Sequence, residues 1–324
     1  MLSMKITIDA VSNLLKSMDD VLILAHENPD GDAVGSACAI CRAMLKLGKN
    51  AKVSIERVSN KLSYLLTDVP TGDFDYKYVV AVDTADNNIL GVANTSVTKN
   101  SKIDLCIDHH FSNVLYAENT YLDEKAAGAC EAIYDILKYM DIEIDKDIAE
   151  CLYVGISTDT GCFRFGNTTS KTLRTAAALI DLGVNNADVN RLQFETKSKE
   201  YAKLEQMAIS SMNTYFSGKC AVLPITYDMF LKSGADDSDT SALASLPRQI
   251  EGVLIGVTMK EKVKGTFRIS VRTNPPADAS AIAGMLGGGG HKLAAGCSFE
   301  GKLNDALKAV LKCAESELKE IGEL

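Results

Sequence analysis

The stretch VLILAHENPDGDAVGSA, residues 21–37, decides how this chain is read. An apolar run from Val21 to Ala25 ends abruptly in His26, a short loop delivers Asp30 and Asp32, and Gly35-Ser36 open what reads as a helix. An imidazole and two carboxylates at the end of a buried strand make a poor core. Carboxylates cost several kcal/mol to bury unless something positive pairs with them. No Lys or Arg lies between Val21 and Cys41. The missing positive charge is most simply a metal ion, and His nitrogen with carboxylate oxygen suits Mn²⁺, Fe²⁺ or Zn²⁺. On this segment alone, a solvated turn with an aspartate capping the helix accounts for the same residues.

Two more segments repeat the pattern. YVVAVDTAD (78–86) is an apolar strand ending in Asp83, and IDLCIDHH (103–110) is another, ending in Asp108, His109 and His110. Continuously apolar strands separated by helical stretches indicate a parallel sheet covered on both faces, with ligands gathering at the carboxyl ends of the strands. A further carboxylate, Asp159, follows a long apolar stretch in VGISTDTGCF. The chain has four histidines: His26, His109, His110, and His291 in GGGGH. Each lies in a polar, carboxylate-rich or glycine-rich cluster, which favours the metal reading over scattered structural histidines.

HENPDGD, Asp83 at a strand end, Asp108-His109-His110 and Asp159 resemble, in order, the four motifs of the DHH phosphoesterases. GGGGHKLAAG (287–296) is similar to the signature of the DHH-associated C-terminal domain. The likeness covers most of the chain, and its length looks most like the oligoribonuclease (nanoRNase) and pAp-phosphatase branch, with cyclic-dinucleotide relatives nearby. The resemblance implies two divalent ions, Mn²⁺ above all, activating a bridging water. It assigns His26 and Asp30 to one ion and Asp32 and His109 to the other, with Asp83 bridging and Asp159 on the second-ion side. It further implies that Asp108 orients a neighbouring ligand and that His110 faces the substrate phosphate. Arg272 in ISVRTN is the expected phosphate-binding arginine, with Arg268 on the same strand face as a weaker candidate. Gly288, Gly289, Gly290 and His291 are expected to form a nucleotide-gripping loop through close backbone approach. GGGGHK is no P-loop, because Leu293 stands where Ser or Thr is required. The segment 126–130, Ala-Ala-Gly-Ala-Cys, departs from the small hydroxyl residues usual in relatives, and is read as a packing change.

The expected substrates are RNA of a few nucleotides, pAp, or linear dinucleotides such as pApA. A cyclic-di-AMP phosphodiesterase uses the same motifs and stays open as an alternative. A family II pyrophosphatase is disfavoured by GGGGH. A catalytically silent nucleotide sensor would lack a ligand, and none is missing. The net charge of −9, from 34 basic and 43 acidic residues, argues against tracking along long nucleic acid, and the chain has no Trp for a stacking strip. Nine cysteines without a paired framework fit a reduced compartment; Cys38 and Cys41 form C-x-x-C inside an apolar helix face. No h-region and no run near the ~18 residues of a membrane span appears, so a soluble, cytoplasmic protein is expected, and a homodimer is left open.

The chain is expected to divide into a DHH domain (1–190), a connecting helix (191–218) and a smaller mixed α/β domain (219–324). Helices are expected over 6–18, 33–47, 60–66, 125–140, 147–156, 170–183 and 198–216. In the second domain strands are expected at 220–225, 252–260, 265–273 and 296–299. Helices there are expected at 226–232, at 278–286 and from 303, with a polar break GADDSDT.

Overall fold

The computed structural model describes residues 4–72, 75–91, 102–235 and 237–324. Part of the polar stretch before the strand ending at Asp108, and Asp236 in the polar break, lie outside the described residues. The chain divides into two compact units, Met1–Thr196 and Lys197–Leu324. Among the described residues no helix is long and apolar enough to cross a membrane.

The first unit is built on a six-stranded sheet: β1 (Met4–Lys5), β2 (Val21–Leu24), β3 (Ala51–Ser54), β4 (Tyr78–Val82), β5 (Leu105–Asp108) and β6 (Asn119–Leu122), in the order β1-β6-β5-β4-β2-β3. Every pairing is parallel, for instance Ile23 opposite Val80 and Val80 opposite Leu105. Alternating side chains explain the unbroken apolar runs. Ile23, Val80, Val82, Leu105 and Ile107 enter one core. Leu22, Leu24, Val79, Ala81 and Cys106 enter another on the opposite face, with Leu90, Ile103 and Ala117. β1 and β6 were not expected; two or four residues with Asn, Thr and Lys among them carry no apolar periodicity, and the pairing of β6 to β5 and of β1 to β6 defines them.

The larger core is closed by α1 (Ile8–Ser17), α2 (Gly31–Lys46), α3 (Ala129–Tyr139), α4 (Lys146–Asp159) and α5 (Ser170–Asp181). α2 is buried on almost every side from Gly31 to Cys41, as a helix with no charged stripe over that span must be. Its small residues let α4 approach closely: a Cβ on Gly35 would stand 2.3 Å from the Cys151 carbonyl oxygen and 3.1 Å from Cys130 Sγ. Cys38 and Cys41 are buried there, and all nine cysteines are free thiols. α3 begins at Ala129, later than the expected 125, because residues 125–128 form a turn and Gly128 is the N-cap.

The second unit holds a six-stranded mixed sheet, β7 (Asn213–Tyr215), β8 (Cys220–Ile225), β9 (Ile255–Val263), β10 (Thr266–Thr273), β11 (Gly289–His291) and β12 (Ala294–Glu300), ordered β11-β12-β10-β9-β8-β7. Only β8 and β9 pair in parallel. Ile255, Val257, Met259, Phe267, Ile269 and Val271 pack with Ala306, Val310 and Leu318 of the C-terminal helix Leu303–Glu320. The helix expected over 198–216 ends at Ser211: Met212 turns extended and Asn213–Tyr215 pairs with β8. Gly289–His291 is an edge strand and not a free loop.

Because α2 and α4 touch through Gly35, Gly35→Ala is expected to overpack the core and destabilise the fold by about 1–3 kcal/mol. The urea midpoint measures this, and an unchanged midpoint would show that the two helices separate at no cost.

Candidate metal centre

β2, β4 and β5 point their carboxyl ends to one edge of the sheet, and the polar residues that end them meet there. His26 Nε2 stands 3.8 Å from Asp83 Oδ2, while Asp83 Oδ1 stands 3.5 Å from His109 Nε2 and 3.7 Å from His110 Nδ1. His109 Nε2 also lies 3.6 Å from Asp159 Oδ2 and 3.9 Å from Asp32 Oδ2. Donor atoms of His26, Asp30 and Asp83 fall within 4.8 Å of one another, and so do those of Asp32, His109 and Asp159. A third group with the same spacing is Asp83, Asp108, His109 and His110. The two oxygens of Asp83 thus face different halves of the cluster.

The backbone holds these side chains deliberately. Asp83 has φ +53°, the left-handed region that Asp tolerates better than most residues, and its N–H donates to Ile107 O at 3.0 Å. Asp30 caps α2, its Oδ1 accepting from the N–H groups of Asp32 and Ala33. The capping turn read from the sequence is therefore real, and it coexists with membership of the cluster. Asp32 is fully buried; its oxygens accept from Ala129 N at 2.6 Å and Cys130 N at 2.9 Å, the first turn of α3. A side chain at Gly128 would collide with that carboxylate, a Cβ lying 2.7 Å from Asp32 Oδ2. The segment 126–130 thus bears on the site through its amides, which its side chains did not announce.

Asp108 Oδ1 pairs with His110 Nδ1 at 2.8 Å, and its Oδ2 accepts from Asn113 Nδ2 at 2.6 Å. Asn113 also donates to Thr84 O. Asn167 Nδ2 donates to Ala127 O and Asp159 O, tying the last residue of α4 to the turn before α3. Neither asparagine was singled out from the sequence; a polar residue in a turn three positions after His110 is the only signal Asn113 offered.

The electrostatics describe a surplus of negative charge. Burial raises the Asp83 and Asp32 carboxyls above their ordinary range, and neighbouring carboxylates add to it. Asp159 is pushed up to about 7 by burial and then by Asp32. Burial lowers His26. His109 rises to about 10 because, against the cost of burial, Asp83, Asp32 and Asp159 face it. The bond to Asp108 raises His110 despite its burial; burial alone would raise Asp108, yet His110 and Asn113 hold it below its usual value. Asp83 Oδ1 and His109 Nε2 are buried without a hydrogen-bond partner. Such orphans between facing carboxylates are the environment a divalent cation satisfies, and the nitrogen-and-oxygen donor set suits a first-row metal. The residues fit the group.

In the second unit, a cleft of about 430 Å³ is lined by Arg268, Ser270, Arg272, Gly289, Gly290 and Gly296, among others. Arg272, Ala294 and His291 lie in one row across β10, β12 and β11, and so share a face of the sheet. Burial, then Arg248 and Arg268, push the Arg272 guanidinium below its ordinary value. Gly288 and Gly290 are required by contact with β12: a Cβ would lie 2.2 Å from Gly296 O and 2.6 Å from Ala294 O respectively. Gly289, which also lines the cleft, has open space where a Cβ would stand.

Residues 20–156 match the DHH family, N-terminal domain, and residues 218–319 match the DHHA1 domain. The chain belongs to the DHH family, and by class it is a metal-dependent phosphoric ester hydrolase. It is 32% identical over 323 residues to the Thermus thermophilus protein named bifunctional oligoribonuclease and PAP phosphatase NrnA, covering 97% of this chain and 95% of that one. A Streptococcus mutans protein, named a probable bifunctional oligoribonuclease and PAP phosphatase NrnA, is 28% identical over 88% of this chain and 91% of its own. The crystal structure of an exopolyphosphatase-related protein from Bacteroides fragilis shares the fold, with a TM-score of 0.87 at 21% identity, covering 97% of this chain and 96% of that one.

If the carboxylate surplus is answered by a cation, Mn²⁺ at a hundred times its Kd should stabilise the protein by about 2.7 kcal/mol per site. Asp83→Asn should lose most of that gain in thermal unfolding. An equal rise in Tm for both proteins would place the ion elsewhere.

Proposed function

We propose that the chain hydrolyses short oligoribonucleotides to 5′-mononucleotides and removes the 3′-phosphate of pAp, using two divalent ions, Mn²⁺ above all. The observation that carries this reading is the division of Asp83: Oδ2 towards His26 and Oδ1 towards His109, with Asp30 in the first group and Asp32 and Asp159 in the second. One carboxylate serving two donor groups is the arrangement a bridging ligand needs. Similarity to proteins named for both activities points to the substrates.

In this reading His26 and Asp30 hold one ion, Asp32, His109 and Asp159 the other, and Asp83 both. Divalent ions there supply Lewis acidity, lowering the pKa of water and neutralising charge on a phosphate ester. The chain's own residues do the rest. The amides of Ala129 and Cys130 fix Asp32 in one rotamer. Asp108 pairs with Nδ1 of His110 and raises its proton affinity, favouring the imidazolium form, whose Nε2–H can donate to a phosphate oxygen. The His110 side chain is 42% exposed and within reach of solvent-borne substrate. Asp108 is itself fully buried and acts by orienting His110. Arg272, whose planar fork can bind phosphate bidentately, with Gly288, Gly289, Gly290 and His291, binds substrate in the second unit. Arg268, lining the same cleft, adds charge there.

Purified protein with Mn²⁺ is expected to release 5′-mononucleotides from a five-nucleotide RNA and inorganic phosphate from pAp, leaving cyclic-di-AMP intact. Asp83→Ala should abolish both activities while keeping the native circular-dichroism spectrum. Substantial metal-dependent turnover by that variant, or attack on cyclic-di-AMP alone, would overturn the assignment.

A further inference from the structure

Phe111 follows His110 directly and is 85% exposed, more than any other large apolar side chain among the described residues. Burying a phenylalanine is worth roughly 1.5–3 kcal/mol, so a chain that leaves one in water beside a charged cluster forgoes that stabilisation. The exposure is not that of a loose loop. Asn113 N donates to His110 O at 3.0 Å, closing a turn with Phe111 and Ser112 at its tip, and Val114 N donates to Ala85 O at 3.0 Å. The Asn113 side chain fastens the same turn through Thr84 O, Asp108 and the Leu115 N–H. Val114, 60% exposed, extends the apolar surface along the segment. A fixed turn therefore presents a phenyl ring carried on a Cα about 3.8 Å from that of His110.

We propose that Phe111 is a platform on which a nucleobase next to the scissile phosphate stacks. This rests on the nucleotide reading above and names a contact that neither the metal cluster nor the arginine-lined cleft provides. The chemistry selects the occupant. The neighbouring residues are arranged for a phosphate, and a few bonds from a phosphate the only large, uncharged, flat group on a nucleotide is its base. A phenyl ring stacks on any base and reads no hydrogen-bonding edge, so the platform favours nucleotides over bare phosphate esters without choosing a sequence. The ring has two torsions to fix, so the entropy cost of using it is low.

The test compares wild type, Phe111→Ala, Phe111→Trp and the remote surface control Leu173→Ala on two dinucleotides, pApA and an analogue lacking both bases. Turnover is followed with Mn²⁺, and binding by calorimetry with the phosphorothioate forms. Phe111→Ala is expected to raise Kd and lower kcat/KM for pApA about 5- to 150-fold, the equivalent of the ~1–3 kcal/mol of one base stack. It should leave the base-free analogue unchanged, Phe111→Trp should retain binding, and Leu173→Ala should match wild type throughout. Equal effects on both dinucleotides, or none on either, overturn the platform. If wild type binds pApA but does not cleave it, the hydrolase reading falls and the platform is judged on Kd alone. If wild type binds neither dinucleotide, both fall.

Discussion

Three buried carboxylates, Asp32, Asp83 and Asp108, and the partly exposed Asp159 crowd one edge of the parallel sheet, and only two of the buried three are well satisfied by the protein. Asp108 has His110 and Asn113, and Asp32 has two backbone amides. Asp83 retains an oxygen with no partner, in contact at 3.5 Å with a His109 nitrogen that also has none. Withdrawing a carboxylate from water costs several kcal/mol that imperfect pairing does not return. Such a group persists only where the surrounding fold over-determines its position, and it does so here for a purpose outside folding.

The sheet supplies that over-determination. With apolar side chains buried on both faces, β2, β4 and β5 cannot slip by one residue without driving a whole row of Val, Ile and Leu into the opposite core. The register that places Ile23 beside Val80, and Val80 beside Leu105, also fixes how far His26, Asp83 and His109 project. Behind them, the close contact of α2 with α4 at Gly35, and of Gly155 with Asp32, leaves no room for the floor to move; a Cβ on Gly155 would lie 2.7 Å from Asp32 Oδ1. Stability and site geometry are set by the same contacts.

The apolar strands, the histidines and the strand-end aspartates were legible in the sequence because each is a residue type in a pattern. What was not legible is carried by backbone. The amides of Ala129 and Cys130 belong to a segment whose side chains read as packing, and no composition reveals where an N–H will point. The left-handed turn at Asp83 had no glycine to mark it. The run at 287–290 read as a loop because glycine is common in loops; here Gly288 and Gly290 are demanded by the nearness of β12, a tertiary fact. The helix expected to reach 216 stopped at Ser211 because Asn213–Tyr215 found a strand to pair with, which no local propensity encodes.

The helix ends sharpen the charge argument. Asp30 and Asp32 sit at the N-terminus of α2, and Asp32 is also held by the N-terminus of α3, where the partial positive charge of a helix favours a carboxylate. Asp159 is the last residue of α4, at the end where that field is negative. A carboxylate placed there, facing Asp32 and partly removed from water, is raised to about 7, with His109 and His110 opposing the shift. Asp32, aided by the backbone, and Asp159, set against it, both face the His109 imidazole, which cannot balance them alone. A cation held by Asp32, His109 and Asp159 would resolve the conflict at Asp159 that the helices leave standing.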